Sequence, residues 1–303
     1  MNIGIVGAGG EIGVGLTKFL KSNSSYKIIP ITRSKSGQKE NCQRICDLRN
    51  PHQILRALEG IEVVINLSGR TTGIEYEDFY IDNYICSINL YKGCLKAGVK
   101  RIIHVSSILA LLHPETAYGQ TKALTDKFLL SQPPTDLSLI ILRPSWVVTS
   151  SPKSIIHQFI KLIRLSPVLL VPNTGQVQPL FEGVFYKFVR QCIEKTIKKY
   201  DHKIIYCVGF EKFKLNEFLK LLSEVIDKKR LIFEFPFSIL INLAKIGAAL
   251  FPKLSIDFEK LQIQKSDRIH SEICPELEIF QKPAKEEMQQ IVASIRSNAR
   301  KPY

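Results

Sequence analysis

An apolar strand that runs straight into a cluster of glycines is the feature that most constrains this chain. Ile3-Gly4-Ile5-Val6 leads into Gly7-Ala8-Gly9-Gly10-Glu11-Ile12-Gly13. A strand that turns so sharply into a helix favours a residue free of the Cβ penalty at positive φ. Ile12, Leu16, Phe19 and Leu20 recur at helical spacing and supply that helix. Backbone N–H groups at such a helix start attract an anion, and bare glycines let a pyrophosphate come close. Gly13 lets the helix pack onto the strand. Gly7, Gly10 and Gly13 are spaced G-x-x-G-x-x-G, and Gly9 adds a G-x-G-x-x-x-G reading, so spacing leaves the subtype open. The bland alternative is a glycine turn with no ligand; its place between strand and helix argues against that.

A second signal lies far downstream. Tyr118 and Lys122 form a Tyr-x-x-x-Lys pair, eleven residues after Ser106-Ser107. A tyrosine and a lysine four apart occur often by chance. Combined with the glycine turn, they point to a nicotinamide cofactor and a residue set able to move a hydride.

The rest of the chain bounds these readings. Its 303 residues suit one large α/β domain with a smaller appended region. Seven cysteines, an odd and scattered set with no Cys-x-x-Cys, read as reduced thiols in a cytosolic setting. Asn2–Val6 reads as a strand without the basic flank of a signal peptide. No metal site is expected, because His and Cys do not cluster. The net charge of +14 suits an anionic partner or a lysine-rich surface, and the spread of the basic residues gives nucleic-acid binding little support.

The first half alternates between strand and helix. Strands are expected at 26–32, 43–46, 62–66, 101–106 and 137–142. Helices are expected at 51–58, 76–97 and 118–130, with Asn50 as N-cap and Pro51 at the first position of the first. This alternation implies a doubly wound parallel sheet. Beyond Arg143 the chain is less regular. Helices are expected at 154–165 and 215–226, and an extended connection at 167–172. The expected division is a cofactor-binding domain over 1–143, with 184–208 returning to it, and a smaller, mostly helical substrate lobe over 144–183 and 209–303.

In this order of landmarks the chain resembles an extended or atypical short-chain dehydrogenase of the NAD-dependent epimerase/dehydratase family. The landmarks are the glycine turn, Asp47-Leu48, Asn66-Leu67-Ser68-Gly69, Asn83, Val105-Ser106-Ser107, Tyr118-Gly119-Gln120-Thr121-Lys122 and Leu142-Arg143-Pro144-Ser145. The resemblance implies a Rossmann fold and one role per position. Gly7, Gly9, Gly10, Glu11, Ile12, Gly13, Leu48, Leu67, Ser68, Gly69 and Pro144 would line the cofactor. Asp47 would accept from the adenine amine, and Asn66 would sit where the cofactor crosses the sheet. Tyr118 would be the general acid/base. Lys122, one turn on, would lower its pKa and hold the nicotinamide ribose. Ser107 would hold the substrate oxygen, while Ser106 should point back into the sheet. Asn83 would help order the lysine.

The second strand ends Thr32-Arg33-Ser34-Lys35 with no carboxylate for the ribose hydroxyls. Arg33 is suited to a 2′-phosphate, with Ser34 and Lys35 assisting, so NADP(H) is expected over NAD(H). Arg70, Thr71, Thr72, Trp146 and Gln178 are candidate substrate contacts by position.

The segment Ile108–Ala117 is short for a sugar-nucleotide epimerase. It resembles the atypical branch that contains the cofactor-binding accessory subunit of respiratory complex I. Phe235–Phe251 carries one charge, Lys245, and is too short and interrupted for a confident membrane span. It suits a helix packed in the lobe, or peripheral membrane contact through 235–254. Family members often dimerise through a four-helix bundle, and the helices at 76–97 and 118–130 carry apolar positions for one. Two functional classes stay open. One is an oxidoreductase or epimerase acting on a nucleotide-sugar-like or lipid-like substrate. The other is a non-catalytic NADPH-binding subunit, assembly factor or redox sensor of a membrane complex.

Overall fold

The computed structural model describes residues 1–34, 43–133, 135–194, 200–250 and 257–299. Lys35, Cys42 and the apolar stretch 251–256 lie outside the described residues. The chain begins β1 (Asn2–Val6), α1 (Glu11–Asn23), β2 (Lys27–Thr32), β3 (Arg44–Ile45), α2 (Pro51–Leu58) and β4 (Val63–Asn66). Asn50 caps α2 as expected, its side chain accepting from the backbone N–H of His52 and Gln53.

The long helix expected at 76–97 is three abutting pieces. They are α3 (Tyr76–Phe79), a π-helical turn (Tyr80–Ile85) and α4 (Cys86–Lys96). Then come β5 (Arg101–Val105), α5 (Leu109–Leu112), α6 (Ala117–Leu130) and β6 (Ser138–Pro144). Next in the chain are β7 (Val147–Val148), α7 (Ile155–Leu165), β8 (Val168–Pro172), β9 (Leu180–Phe181), α8 (Glu182–Glu194) and β10 (Lys203–Cys207). The last elements are α9 (Leu215–Val225), β11 (Leu231–Phe235), α10 (Phe237–Leu250), α11 (Phe258–Lys265), α12 (Pro275–Glu278) and α13 (Ala284–Ala299).

Seven strands form one sheet in the order β10-β6-β5-β4-β1-β2-β3. All its pairings are parallel. Side chains alternate across it with period two, because successive Cβ atoms leave opposite faces of a strand. Ile3, Ile5, Val63, Ile65, Ile103, Val105, Ile140 and Leu142 enter one core, against Leu16 and Leu20 of α1 and Phe185 and Phe188 of α8. Val64, Ile102, Leu139 and Ile141 enter the other, against Ile54 and Leu58 of α2, Leu90 of α4 and Leu129. Burial on both faces explains why these strands read as continuous apolar runs. The result is the doubly wound α/β fold with helices on both faces.

A third core lies outside the sheet. It joins Ile156, Ile160 and Ile163 of α7 to Phe218, Leu219 and Leu222 of α9 and Met288, Ile291 and Val292 of α13. The stretch at 167–172 differs from expectation. It is not a bare connection but β8, paired in parallel with β11 from Val168↔Leu231 to Pro172↔Phe235. That pairing spans some sixty positions of sequence, and no local pattern announces it.

Candidate active site

The strand ends of the large sheet converge where its order reverses between β1 and β4, the crevice in which ligands of such sheets bind. The glycine turn lies there. Gly7 has φ +80°, and a Cβ on it would meet the backbone of Leu67 and Ser68 at 2.8 Å. A Cβ on Gly13 would collide with the Gly7 carbonyl and would sit 2.8 Å from the Ala8 Cα. These two glycines are therefore required by the fold itself. Gly9 differs, because a Cβ there would reach only Thr32 Cγ2 at 3.6 Å, an ordinary contact. Gly10 caps α1 with no side-chain hydrogen bond, which leaves the first-turn amides of the helix for an anion. The turn thus fits the diphosphate of a dinucleotide. The Glu11 carboxylate accepts from the Thr149 hydroxyl at 2.7 Å, which leaves only its backbone N–H, in the first turn of α1, for that role. Ile12 packs against the core between α1 and α8.

Beside the turn, the end of β2 carries Arg33, which is exposed and ion-paired at 3.1 Å to Asp82 of the π turn. Asp82 also takes Arg70, from Nε at 3.2 Å. One buried carboxylate therefore holds two guanidiniums from two different loops. Thr32 donates its hydroxyl to the Ser34 carbonyl at 2.7 Å, and Ser34 is exposed. Asp47 is engaged by Arg49, whose Nε lies 3.0 Å from Oδ1, and these hydrogen bonds hold its carboxyl below the usual range. Leu48 is buried under α2 rather than open to a ligand.

Asn66 departs from the cofactor-contact expectation. It is fully buried, its Oδ1 accepts from Ser68 N at 3.1 Å, and its amide lies 3.0 Å from His104 Nδ1. It shapes the following loop from below. Leu67, Ser68 and Gly69 form the surface above it. Gly69 has φ +145°, and a Cβ there would fall 2.6 Å from Asn83 Oδ1 and 3.3 Å from Lys122 Nζ. Asn83 accepts from Arg70 N at 2.7 Å and donates to Thr121 Oγ1 at 3.1 Å. It thus clamps the loop to α6.

Helix α6 presents the Tyr/Lys pair. Thr116 caps it, accepting from Gly119 N at 3.1 Å, and Glu259 of α11 accepts from Ala117 N at 3.0 Å. Tyr118 is half-buried and lies edge-on to Phe79 at 6.4 Å between ring centres, with the Ser107 hydroxyl near its phenol. Burial raises its pKa, and the nearby Ser107 hydroxyl opposes that rise. This reverses the expected lowering by Lys122, whose ammonium is instead directed to the Val105 carbonyl at 3.2 Å. Burial pushes Lys122 itself down to about 8, with Asp126 opposing.

Asp126 was missed by sequence reasoning, although it lies one turn beyond Lys122 on the same helix. Its Oδ2 accepts from the Ser106 hydroxyl and from Arg143 Nε, each at 2.8 Å. This buried group ties α6 to the ends of β5 and β6. Its Oδ1 faces His104 Nε2 at 4.0 Å. His104 sits in the core of β5 and is held neutral by burial, its pKa well below the ordinary value.

The substrate candidates separate. Arg70 is bound to Asp82 and Asp78, and Thr71 and Thr72 are exposed beside it. The Trp146 ring packs at a tilt against Phe218, 4.8 Å between ring centres, at the edge of the core of α7, α9 and α13. Gln178 is buried, and its Oε1 accepts from His270 N at 2.5 Å, so it is a structural brace rather than a substrate contact. Pro144 is buried at the end of β6, and its carbonyl accepts from Ile108 N at 2.9 Å.

Known proteins share this architecture. The UDP-glucose 4-epimerase of Thermotoga maritima, solved with UDP-glucose, is 17% identical, with a TM-score of 0.75 and coverage of 99% of this chain and 100% of that one. The UDP-glucuronic acid 4-epimerase of Bacillus cereus, solved with UDP-glucuronic acid and NAD, is 16% identical, with a TM-score of 0.74 and coverage of 98% and 100%. A dTDP-4-dehydrorhamnose reductase of Aggregatibacter actinomycetemcomitans is 23% identical over 211 residues, spanning 64% of this chain and 67% of that protein. The model of one family matches residues 3–179, from the glycine-turn strand through the Tyr/Lys helix and beyond. With more than half its length so matched, the chain belongs to the NAD dependent epimerase/dehydratase family.

Proposed function

We propose that this protein is an NADP(H)-dependent oxidoreductase or epimerase that acts on a hydroxyl or carbonyl of a nucleotide-sugar-like or lipid-like substrate. The observation that carries the reading is the meeting of Ser107, Tyr118 and a buried Lys122 at the sheet end that also holds the glycine turn. A bound nicotinamide would supply the hydride acceptor or donor. The chain's own residues do the rest. First-turn amides of α1 and the bare Gly9 and Gly10 seat the diphosphate. Ser107 orients an oxygen toward Tyr118. Burial keeps Tyr118 protonated in the resting protein, which prepares it to give a proton to a carbonyl oxygen. The nucleotide-sugar class is supported by the relatives' own ligands, and the lipid-like class by the apolar lobe. Assignment to the branch with the complex I accessory subunit rests on the short Ile108–Ala117 segment, of which Leu109–Leu112 folds as α5.

The preference for a 2′-phosphate rests on Arg33, with no carboxylate at the end of β2. Asp82 holds its guanidinium at 3.1 Å beside the turn. The test couples two variants. Tyr118→Phe is expected to lower kcat about 100- to 10,000-fold while NADPH affinity stays within about threefold. Arg33→Asp is expected to weaken NADPH roughly 10- to 100-fold and NADH far less, as for a lost charge-assisted bond. Calorimetry and NADPH oxidation against a panel of keto-sugar nucleotides and apolar ketones read both. Tight NADPH binding with no turnover of any panel member would favour the non-catalytic cofactor-binding role.

A further inference from the structure

We propose that the outer face of the second lobe docks on an anionic lipid bilayer. The lobe core takes only one side of the two-stranded sheet β8/β11. Leu169 and Val171 point into that core, while Leu170 keeps 71% of its surface exposed. Across the ladder, Phe233 faces Leu170 and Leu231 faces Val168, and all four are exposed. The apolar face extends in both chain directions. Upstream lie Leu162 and Leu165 at the exposed end of α7. Arg230 Nε, donating to the Ile163 carbonyl at 2.6 Å, fixes the start of β11 against that helix end. Downstream, β11 passes through Pro236 directly into α10.

Helix α10 is strongly apolar, with Lys245 as its one charge, yet only Phe237 is buried among its described side chains. Ile239, Leu243, Ile246 and Leu250 are all exposed and repeat at the spacing of one helix face. An apolar surface of this extent on a folded protein marks a contact surface. Among the described residues no helix is long and apolar enough to cross a membrane. Fourteen residues make a helix of about 21 Å, shorter than the roughly 30 Å hydrocarbon layer, so α10 suits lying in the interface.

Charge selects the occupant. Exposed Lys161, Arg164, Lys228, Lys229 and Lys245 accompany the face, against exposed Glu224, Asp227 and Glu234. The whole chain carries +14, so a second copy is repelled at long range where an anionic lipid surface attracts. The proposal is independent of catalysis, but α11, which comes after this face in sequence, caps the Tyr118 helix through Glu259.

The experiment is flotation of the full chain with vesicles of phosphatidylcholine, alone or mixed with phosphatidylglycerol, at low and high salt. Expected is co-flotation with the anionic vesicles only, weakened by salt. The Leu243→Asp/Ile246→Asp variant should abolish it. The Lys228→Glu/Lys229→Glu variant should cut the bound fraction about tenfold or more. Both variants change exposed side chains, so unaltered thermal unfolding confirms that each is folded. Absence of flotation, equal flotation on neutral vesicles, or insensitivity to both variants overturns the proposal. Sedimentation equilibrium distinguishes the rival: a dimer that Leu243→Asp/Ile246→Asp dissociates, without flotation, means a second copy covers the face.

Discussion

Lys122 shows how the site is maintained at a cost to the fold. Its ammonium is buried, and its pKa is pushed from 10.5 to about 8 by desolvation. Between those two values the unfolded chain holds a proton that the folded chain lacks, so stability rises with pH across that window. Lys122→Met removes the term. The variant is expected to be more stable than the parent at neutral pH, by up to roughly 3 kcal/mol, with the gap closing as pH approaches 10.5. Urea unfolding of both proteins from pH 7 upward measures this, and a constant gap would refute it. Activity should be lost throughout, as befits a residue placed for function rather than stability. Asp126 is the reason Lys122 does not fall further. With Arg143 and Ser106 on its Oδ2, it supplies a buried negative charge that only the fold could reveal as shared.

At the scale of elements, the π turn has the clearest consequence. An extra residue in a helix rotates every later side chain about the axis, and such turns favour functional sites. Here it places Asp82 toward Arg33 and Arg70, and the neighbouring Asn83 toward the Arg70 backbone and Thr121. Asn83→Ala leaves the Arg70 N–H without its 2.7 Å acceptor. That should cost about 1–3 kcal/mol. It should also release the loop after β4, so trypsin cleavage after Arg70 is expected to accelerate roughly tenfold. Unchanged cleavage would mean that Asp82 alone holds the loop. Much of the fold was legible at this scale. The two-sided apolar strands, the Asn50 cap and the Tyr118 helix all arise from local chemistry that the folded state keeps. The π turn and the β8/β11 ladder were not legible. A helix with one extra residue keeps an apolar pattern close to that of a regular one, and parallel strands far apart in sequence carry no turn between them. The site was legible in its residue types and less so in its contacts. Asn66 and Gln178 look like ligand contacts by position, but burial and hydrogen bonding commit both to the scaffold.

The whole molecule is more interleaved than its motifs. The family match ends at residue 179, yet the sheet is not complete there. Phe185, Phe188 and Val189 of α8 are fully buried against the face built by Ile3, Ile5, Ile65 and Ile103. Strand β10 then pairs with β6 from Lys203↔Ile140 to Cys207↔Pro144. Each large side chain of α8 contributes about 1.5–3 kcal/mol by burial, a sum comparable to the whole net stability of a domain. A chain cut after residue 179 is therefore expected to keep the glycine turn and the Tyr/Lys pair and still fail to fold. It should bind a hydrophobic dye and lose the cooperative urea transition of the full chain. Adding a peptide of residues 180–208 should restore part of that transition, because it supplies both α8 and the edge strand. A sharp transition in the cut chain alone would show instead that the glycine-turn half holds its own core. In that case α8 would be an ornament on the sheet rather than one of its walls.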